Sequence, residues 1–111
     1  MSLASDLNRG NTETIILAQL IKEDSYGYQI NKTIQEMTNH EYELKEATLY
    51  SAFRRLEQAG YISSYWGGNE GTGARRRYYT VTDTGRDYYK LRTGEWKKSR
   101  DLIDILIQTN I

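Results

Sequence analysis

The sequence predicts a mainly helical chain with one small β-hairpin, ordered as three helices, the hairpin and a long final helix. Three observations carry that prediction. Apolar residues recur at three- and four-residue spacing through the first half of the chain. The period shortens between Tyr61 and Val81, where aromatic and β-branched residues flank a glycine-rich stretch. Helical spacing then returns after Thr82 and holds almost to the end.

The elements follow in order. Asn11 and Thr12 are candidate N-caps for a first helix carrying Ile15, Ile16, Leu17, Leu20 and Ile21, which Lys22-Glu23-Asp24-Ser25 ends. A second helix starts near Tyr26, with Ile30, Ile34 and Met37 on one face, and closes at Thr38-Asn39-His40. The third runs from about Lys45 to Ala59 with Leu49, Phe53 and Leu56 inward, and Gly60 stands where a left-handed cap residue is expected. Strands over Tyr61 to Trp66 and Ala74 to Val81 flank Gly67 to Gly73, four glycines in seven residues, so the pair reads as a hairpin with a long tip.

Thr82 suits the N-cap of the last helix. Its Tyr89, Trp96 and Ile103 fall seven apart, and Leu91, Leu102, Ile105 and Leu106 widen the apolar surface. A helix of roughly 25 residues is about 37 Å long, more than so small a domain covers by itself. Part of it is expected to pack on another chain through Tyr89, Trp96, Ile103 and Leu106. Three helices followed by a two-stranded hairpin is the layout of a winged helix-turn-helix. Residues 1–82 form that unit and residues 83–111 a C-terminal dimerisation helix, the two making one compact body.

Composition bounds the function. The chain has 111 residues, enough for one domain, and 38% of them are hydrophobic. Mean hydropathy is −0.77, and neither a membrane-spanning apolar run nor the layout of a secretory signal is present. Cysteine is absent, which removes disulfides and thiolate metal sites and suits a cytoplasmic setting. Lone His40 reads as a surface residue, no phosphate-binding or nucleophile motif occurs, and no carboxylate pair suggests acid–base work, so neither an enzyme nor a cofactor is expected.

Net charge is zero, with 15 basic and 15 acidic residues, which by itself argues against a nucleic-acid binder. The distribution argues the other way. Residues 1–44 hold three basic against seven acidic side chains, residues 45–80 six against three, and residues 81–111 six against five. Local field matters more than the total for meeting phosphates. The third helix carries Lys45, Thr48, Tyr50, Ser51, Arg54 and Arg55 off its apolar face, hydroxyl and guanidinium donors suited to phosphate oxygens and guanine edges. The hairpin carries Arg75, Arg76 and Arg77, with Arg75 and Arg77 on one strand face and Arg76 on the other. A solvated helix face is the competing account of Arg54 and Arg55, and a protein-docking winged helix the competing account of the whole.

Three segments resemble one family. Glu46-Ala47-Thr48-Leu49-Tyr50-Ser51-Ala52-Phe53-Arg54-Arg55-Leu56-Glu57-Gln58-Ala59-Gly60-Tyr61-Ile62 resembles the hallmark segment of PadR-type transcriptional regulators. Upstream, Ser25-Tyr26-Gly27-Tyr28-Gln29-Ile30 is similar to the opening of their second helix. Downstream, Gly73 to Gly85 is similar to their wing and its exit into the last helix. The single terminal helix resembles the short subfamily, of which a lactococcal multidrug-binding repressor is one kind of member. The resemblance implies a homodimer in which the terminal helix packs on the partner's first helix, bringing in Ile16, and repression relieved by a small molecule. It implies recognition-helix contacts from Thr48, Tyr50, Ser51 and Arg54 and wing contacts from Arg75 and Arg76 to a palindromic double-stranded operator. Ser51 departs from the proline common in the family. The resemblance also places Trp96, with Thr93 and Arg100 one turn away, either in a site for a small aromatic effector or simply in the dimer interface.

Overall fold

A computed structural model of the chain describes residues 10–68 and 75–108. Its elements are α1 (Thr12–Lys22), α2 (Gly27–Met37), α3 (Glu46–Gln58), β1 (Ile62–Gly68), β2 (Arg75–Val81) and α4 (Asp83–Ile107). The expected order of elements is the observed one. Most of the predicted hairpin tip, together with Ala74 and both chain ends, lies outside the described residues.

The core forms where α1, α2, α3 and the base of the hairpin meet. Ile16, Leu17, Leu20, Ile30, Ile34, Leu49, Phe53, Leu56 and Ile62 are all buried there, and Tyr79 of β2 stacks on Phe53 at a centroid distance of 4.0 Å. Two expectations are corrected. Ile16, assigned to the dimer face, is 0% exposed in the protomer's own core, because α1 turns Ile16, Leu17 and Leu20 inward and leaves Ile15 at the margin. Met37, expected on one face with Ile30 and Ile34, is exposed while they are buried, with Lys22 Nζ near its sulfur at 3.8 Å.

The α2–α3 turn is held by side chains that bond to backbone. Asn31 Nδ2 donates to the Leu44 carbonyl at 2.7 Å, and the Leu44 N–H donates back to Asn31 Oδ1 at 2.8 Å. This reciprocal pair satisfies a backbone donor and acceptor that α3 does not reach. Thr38 Oγ1 donates to the Ile34 carbonyl at 2.9 Å and accepts from the Tyr42 N–H at 3.2 Å. Asn39 and His40 take left-handed φ values of +51° and +64°, so the chain reverses within two residues. Tyr42 and Leu44 can then drop into the core.

Gly60 adopts φ of +81° after α3, as its position requires. The hairpin pairs antiparallel from Ile62 with Val81 to Gly68 with Arg75. Ser25 adds one further bridge to Tyr79, its N–H donating to the Tyr79 carbonyl at 3.2 Å and its carbonyl accepting from the Tyr79 N–H at 2.8 Å. Thr82 caps α4 as expected, accepting from the Gly85 N–H at 3.0 Å while its hydroxyl donates to the Gly60 carbonyl at 2.7 Å. From this anchor α4 runs along α1: Tyr88 stacks on Tyr61 at 4.1 Å, and Arg92 donates to the Gly10 carbonyl at 2.8 Å. Beyond Trp96 none of the described residues gives the helix apolar cover, and Leu102, Ile103, Ile105, Leu106 and Ile107 are exposed.

Candidate nucleic-acid interface and ligand cleft

Each polar residue expected on α3 has a definite place. Lys45 is the N-cap residue, exposed and extended, one position before the helix. Thr48 and Ser51 are half-buried, whereas Tyr50 and Arg54 are exposed. Tyr50 leans on α2. Its ring packs edge-on against Phe53 at 5.7 Å, and its hydroxyl lies so close to Gly27 that a Cβ there would meet it at 2.7 Å. That fit is a reason for glycine between Tyr26 and Tyr28.

Arg55 turns away from the free face. Its Nε donates to Glu13 Oε1 of α1 at 2.8 Å and its Nη1 to Ser51 Oγ at 2.9 Å. Glu13 also accepts, at 3.5 Å, from the Tyr88 hydroxyl of α4. Burial, and next the Glu13 carboxylate, hold the Tyr88 phenol above its ordinary pKa. One carboxylate therefore joins three helices, a junction with partners 42 and 75 residues apart in sequence.

The arginines of β2 divide as the pleat requires. Arg75 lies over Trp66 at 5.6 Å and Arg77 over Tyr79 at 5.8 Å, while Arg76 lies over Tyr26 at 5.0 Å. Arg77 is also paired with Glu57 of α3 at 3.2 Å, and Glu57 accepts from Ser64 Oγ at 2.6 Å. The recognition-helix end and the wing are thereby pinned together. On the other face, Tyr65 stacks on Tyr78 at 5.6 Å and Tyr78 meets Tyr26 edge-on at 5.2 Å. The Tyr65 hydroxyl donates to Asp24 Oδ2 at 2.7 Å, and that hydrogen bond is the leading reason its phenol is held above the usual pKa. Among the described residues, Lys45, Arg54, Arg75 and Arg76 are the cations of α3 and the wing that no carboxylate engages.

A second feature lies between α1 and α4. A cleft of about 270 Å³ is walled by Thr14, Ile15, Ala18, Tyr89, Thr93 and Trp96. The structure thus brings Trp96 and Thr93 together, and adds Ile15 and Tyr89, which sequence reasoning had not placed in a ligand site. Arg100 does not wall the cleft. Its guanidinium covers the Trp96 ring at 5.2 Å and pairs with Asp101 at 3.1 Å. The seven-residue spacing already puts Tyr89 on the same face as Trp96, but nothing in the sequence signals that Ile15 rather than Ile16 meets them. Among the described residues no cluster suited to a metal ion occurs, and no helix is long and apolar enough to cross a membrane.

Comparison with known proteins adds to this geometry. A family model described as the transcriptional regulator PadR-like family matches residues 16–91. A transcriptional regulator from Clostridium thermocellum superposes with a TM-score of 0.86 at 48% identity, over 96% of this chain and 100% of that one. A PadR family transcription regulator from Clostridium difficile gives 0.75 at 33% identity, over 88% and 99%. An uncharacterized protein of Lysinibacillus sphaericus is 38% identical over 104 residues, 94% of each chain.

Proposed function

Because the chain belongs to the PadR-like family of transcriptional regulators, we propose that it acts in the cytoplasm as a homodimeric repressor, reading a palindromic operator and released from it by a small aromatic molecule. The observation that carries the DNA side is the set of cations on α3 and the wing that no carboxylate engages among the described residues: Lys45, Arg54, Arg75 and Arg76. Thr48, Tyr50 and Ser51 supply hydroxyls on the same helix. In this reading α3 enters the major groove, Arg54 and Tyr50 meet base edges, and Arg75 and Arg76 supply the contacts of the wing beside it. Arg55 and Arg77, each held by a carboxylate, contribute less.

That division predicts the salt dependence of binding. Each phosphate contact contributes about 0.9 to the slope of log affinity against log salt. Arg75→Ala is expected to flatten the slope by about one unit per protomer at every DNA sequence. Arg77→Ala should change it by less than half as much, since Glu57 already offsets that charge. Anisotropy titrations against the protein's own upstream region, at several salt concentrations, measure both. Equal effects from the two substitutions would mean that the Glu57 pairing does not govern which arginine meets DNA, and no rise in anisotropy at low salt would favour the protein-docking alternative.

The effector site in this reading is the α1–α4 cleft, where Trp96 and Tyr89 offer flat apolar surfaces and Thr93 a hydroxyl. The Trp96 ring already carries the Arg100 guanidinium, so an aromatic cation would compete with it for that ring, whereas neutral and anionic aromatics would not. A ligand there would favour a dimer geometry with the wrong spacing between recognition helices, which is coupling by population shift. In a Trp66→Phe variant Trp96 is the sole indole. A naphthalene sulfonate is expected to quench it saturably, and a flat aromatic cation to do so more weakly; absence of saturable quenching by either would remove the site.

A further inference from the structure

Among the described residues, Trp66 has no structural task. It lies on β1 opposite Arg77 in the hairpin register, belongs neither to the core nor to the side chains packed around it, and is 58% exposed. The other aromatic rings of the hairpin strands are all engaged. Tyr79 stacks on Phe53, Tyr78 is held between Tyr26 and Tyr65, and Tyr65 bonds Asp24. The ring contact of Trp66 is with the Arg75 guanidinium, 5.6 Å from its centroid. Arg75 is itself exposed and bonds no carboxylate among the described residues.

We propose that Trp66 and Arg75 act as one minor-groove reading unit of the wing, the guanidinium entering the groove and the indole packing on the adjacent deoxyribose. This rests on the DNA-binding reading and adds a contact that it does not contain. An aromatic face holds a guanidinium flat and leaves its N–H edges free, so Arg75 is presented with less rotamer freedom to lose than a solvated arginine has. Among the described residues, the charged side chains on this strand face around Trp66 are Arg75 and Arg77, and the carboxylate that meets this face, Glu57, is taken by Arg77 and Ser64. An apolar ring set among cations fits a polyanion with apolar sugar walls better than it fits an ordinary protein surface. Narrow minor grooves concentrate negative potential and attract inserted arginine, and apolar side chains lie against their sugars and base steps. The wing should therefore add a preference for A·T-rich sequence beside the bases that α3 reads.

The test uses the full chain carrying Trp96→Phe, in which Trp66 is the sole indole. Two duplexes are compared that share a core site and differ only in A·T-rich or G·C-rich flanks. Trp66 emission is expected to change saturably on DNA addition, with tighter binding to the A·T-rich duplex. Trp66→Ala should weaken binding about tenfold, the scale of one aromatic contact with nucleic acid, without altering the salt slope, because no charge is removed. Trp66→Phe should recover most of that loss, whereas Arg75→Ala should lower both affinity and slope. The proposal is overturned if the unsubstituted protein binds duplex while Trp66→Ala binds equally well, or if Trp66 emission stays unmoved by DNA. It is overturned too if that emission follows protein concentration without DNA, which would assign the ring to a protein contact. Failure of the unsubstituted protein to bind any duplex at low salt would instead remove the DNA reading, and this contact with it.

Discussion

Gly85→Ala is expected to unfold the junction between the wing and α4, lowering stability by more than about 3 kcal/mol, a large share of what holds so small a domain together. The added methyl would sit 2.0 Å from the Tyr61 carbonyl oxygen and 2.9 Å from Val81 Cγ2. The first obstacle is backbone, and that backbone cannot give way. The Tyr61 carbonyl accepts from the Thr82 N–H at 3.0 Å, the Tyr61 N–H donates to Leu56 at 2.9 Å, and the Tyr61 ring is stacked on Tyr88. Relief therefore requires α4 to move off the hairpin, which breaks the Thr82 cap and the Tyr61–Tyr88 stack together. Gly94→Ala supplies the control on the same helix. A Cβ there meets nothing within 4 Å, so the better helix propensity of alanine should raise stability by up to about 1 kcal/mol. Thermal unfolding reads both substitutions, with Gly85→Ala expected to lower Tm by more than about 12 °C and Gly94→Ala to leave it level or higher. If the two behave alike, the close approach at Gly85 is not what fixes α4.

These contrasts show how far the sequence alone reaches. The elements were legible because each is marked locally: three- and four-residue apolar spacing for the helices, aromatic alternation for the strands, Gly60 after α3 and Thr82 before α4. The sorting of the wing arginines was legible too, since the pleat alone separates Arg76 from its neighbours. The partners across the fold were not. Five apolar residues on α1 define a face too broad for periodicity to decide whether Ile15 or Ile16 is the buried one, and helix packing settled it in favour of Ile16. The pairing of Glu13 with Arg55, of Glu57 with Arg77 and of Asn31 with Leu44 spans 42, 20 and 13 residues. Such pairs depend on how helices cross, which no local pattern encodes. They matter for the candidate interface because they take Arg55 and Arg77 out of the group of freely available cations that composition counts equally.

The far end of α4 carries the second large effect. Ile103→Asp combined with Leu106→Asp is expected to yield a monomer whose affinity for a palindromic duplex is lower by a factor of 100 or more, the order of gain that linking two binding units provides. Leu102, Ile103, Ile105, Leu106 and Ile107 are each half or more exposed, Leu106 at 80%, over barely two helical turns. Burying one such side chain is worth roughly 1.5–3 kcal/mol, so the cluster represents on the order of 10 kcal/mol that the protomer alone does not gain. Its apolar residues also spread around more than one side of the helix, which suits burial against more than one neighbouring element and not just a narrow two-helix seam. Tyr89 and Trp96 continue the line of Ile103 back toward the α1–α4 cleft, so in the proposed dimer the cleft would open onto the interface and its occupant could sense the spacing of the two halves. Sedimentation measures the assembly, and the same preparation titrated with duplex measures the affinity. A variant that remains dimeric would place the interface elsewhere. A monomer that keeps the full affinity would show that one winged unit suffices for DNA, and the operator would then need no symmetry. Because both substitutions lie on a surface that no described residue of the protomer covers, the winged unit should keep its secondary structure, and the loss of affinity can be assigned to the loss of the partner.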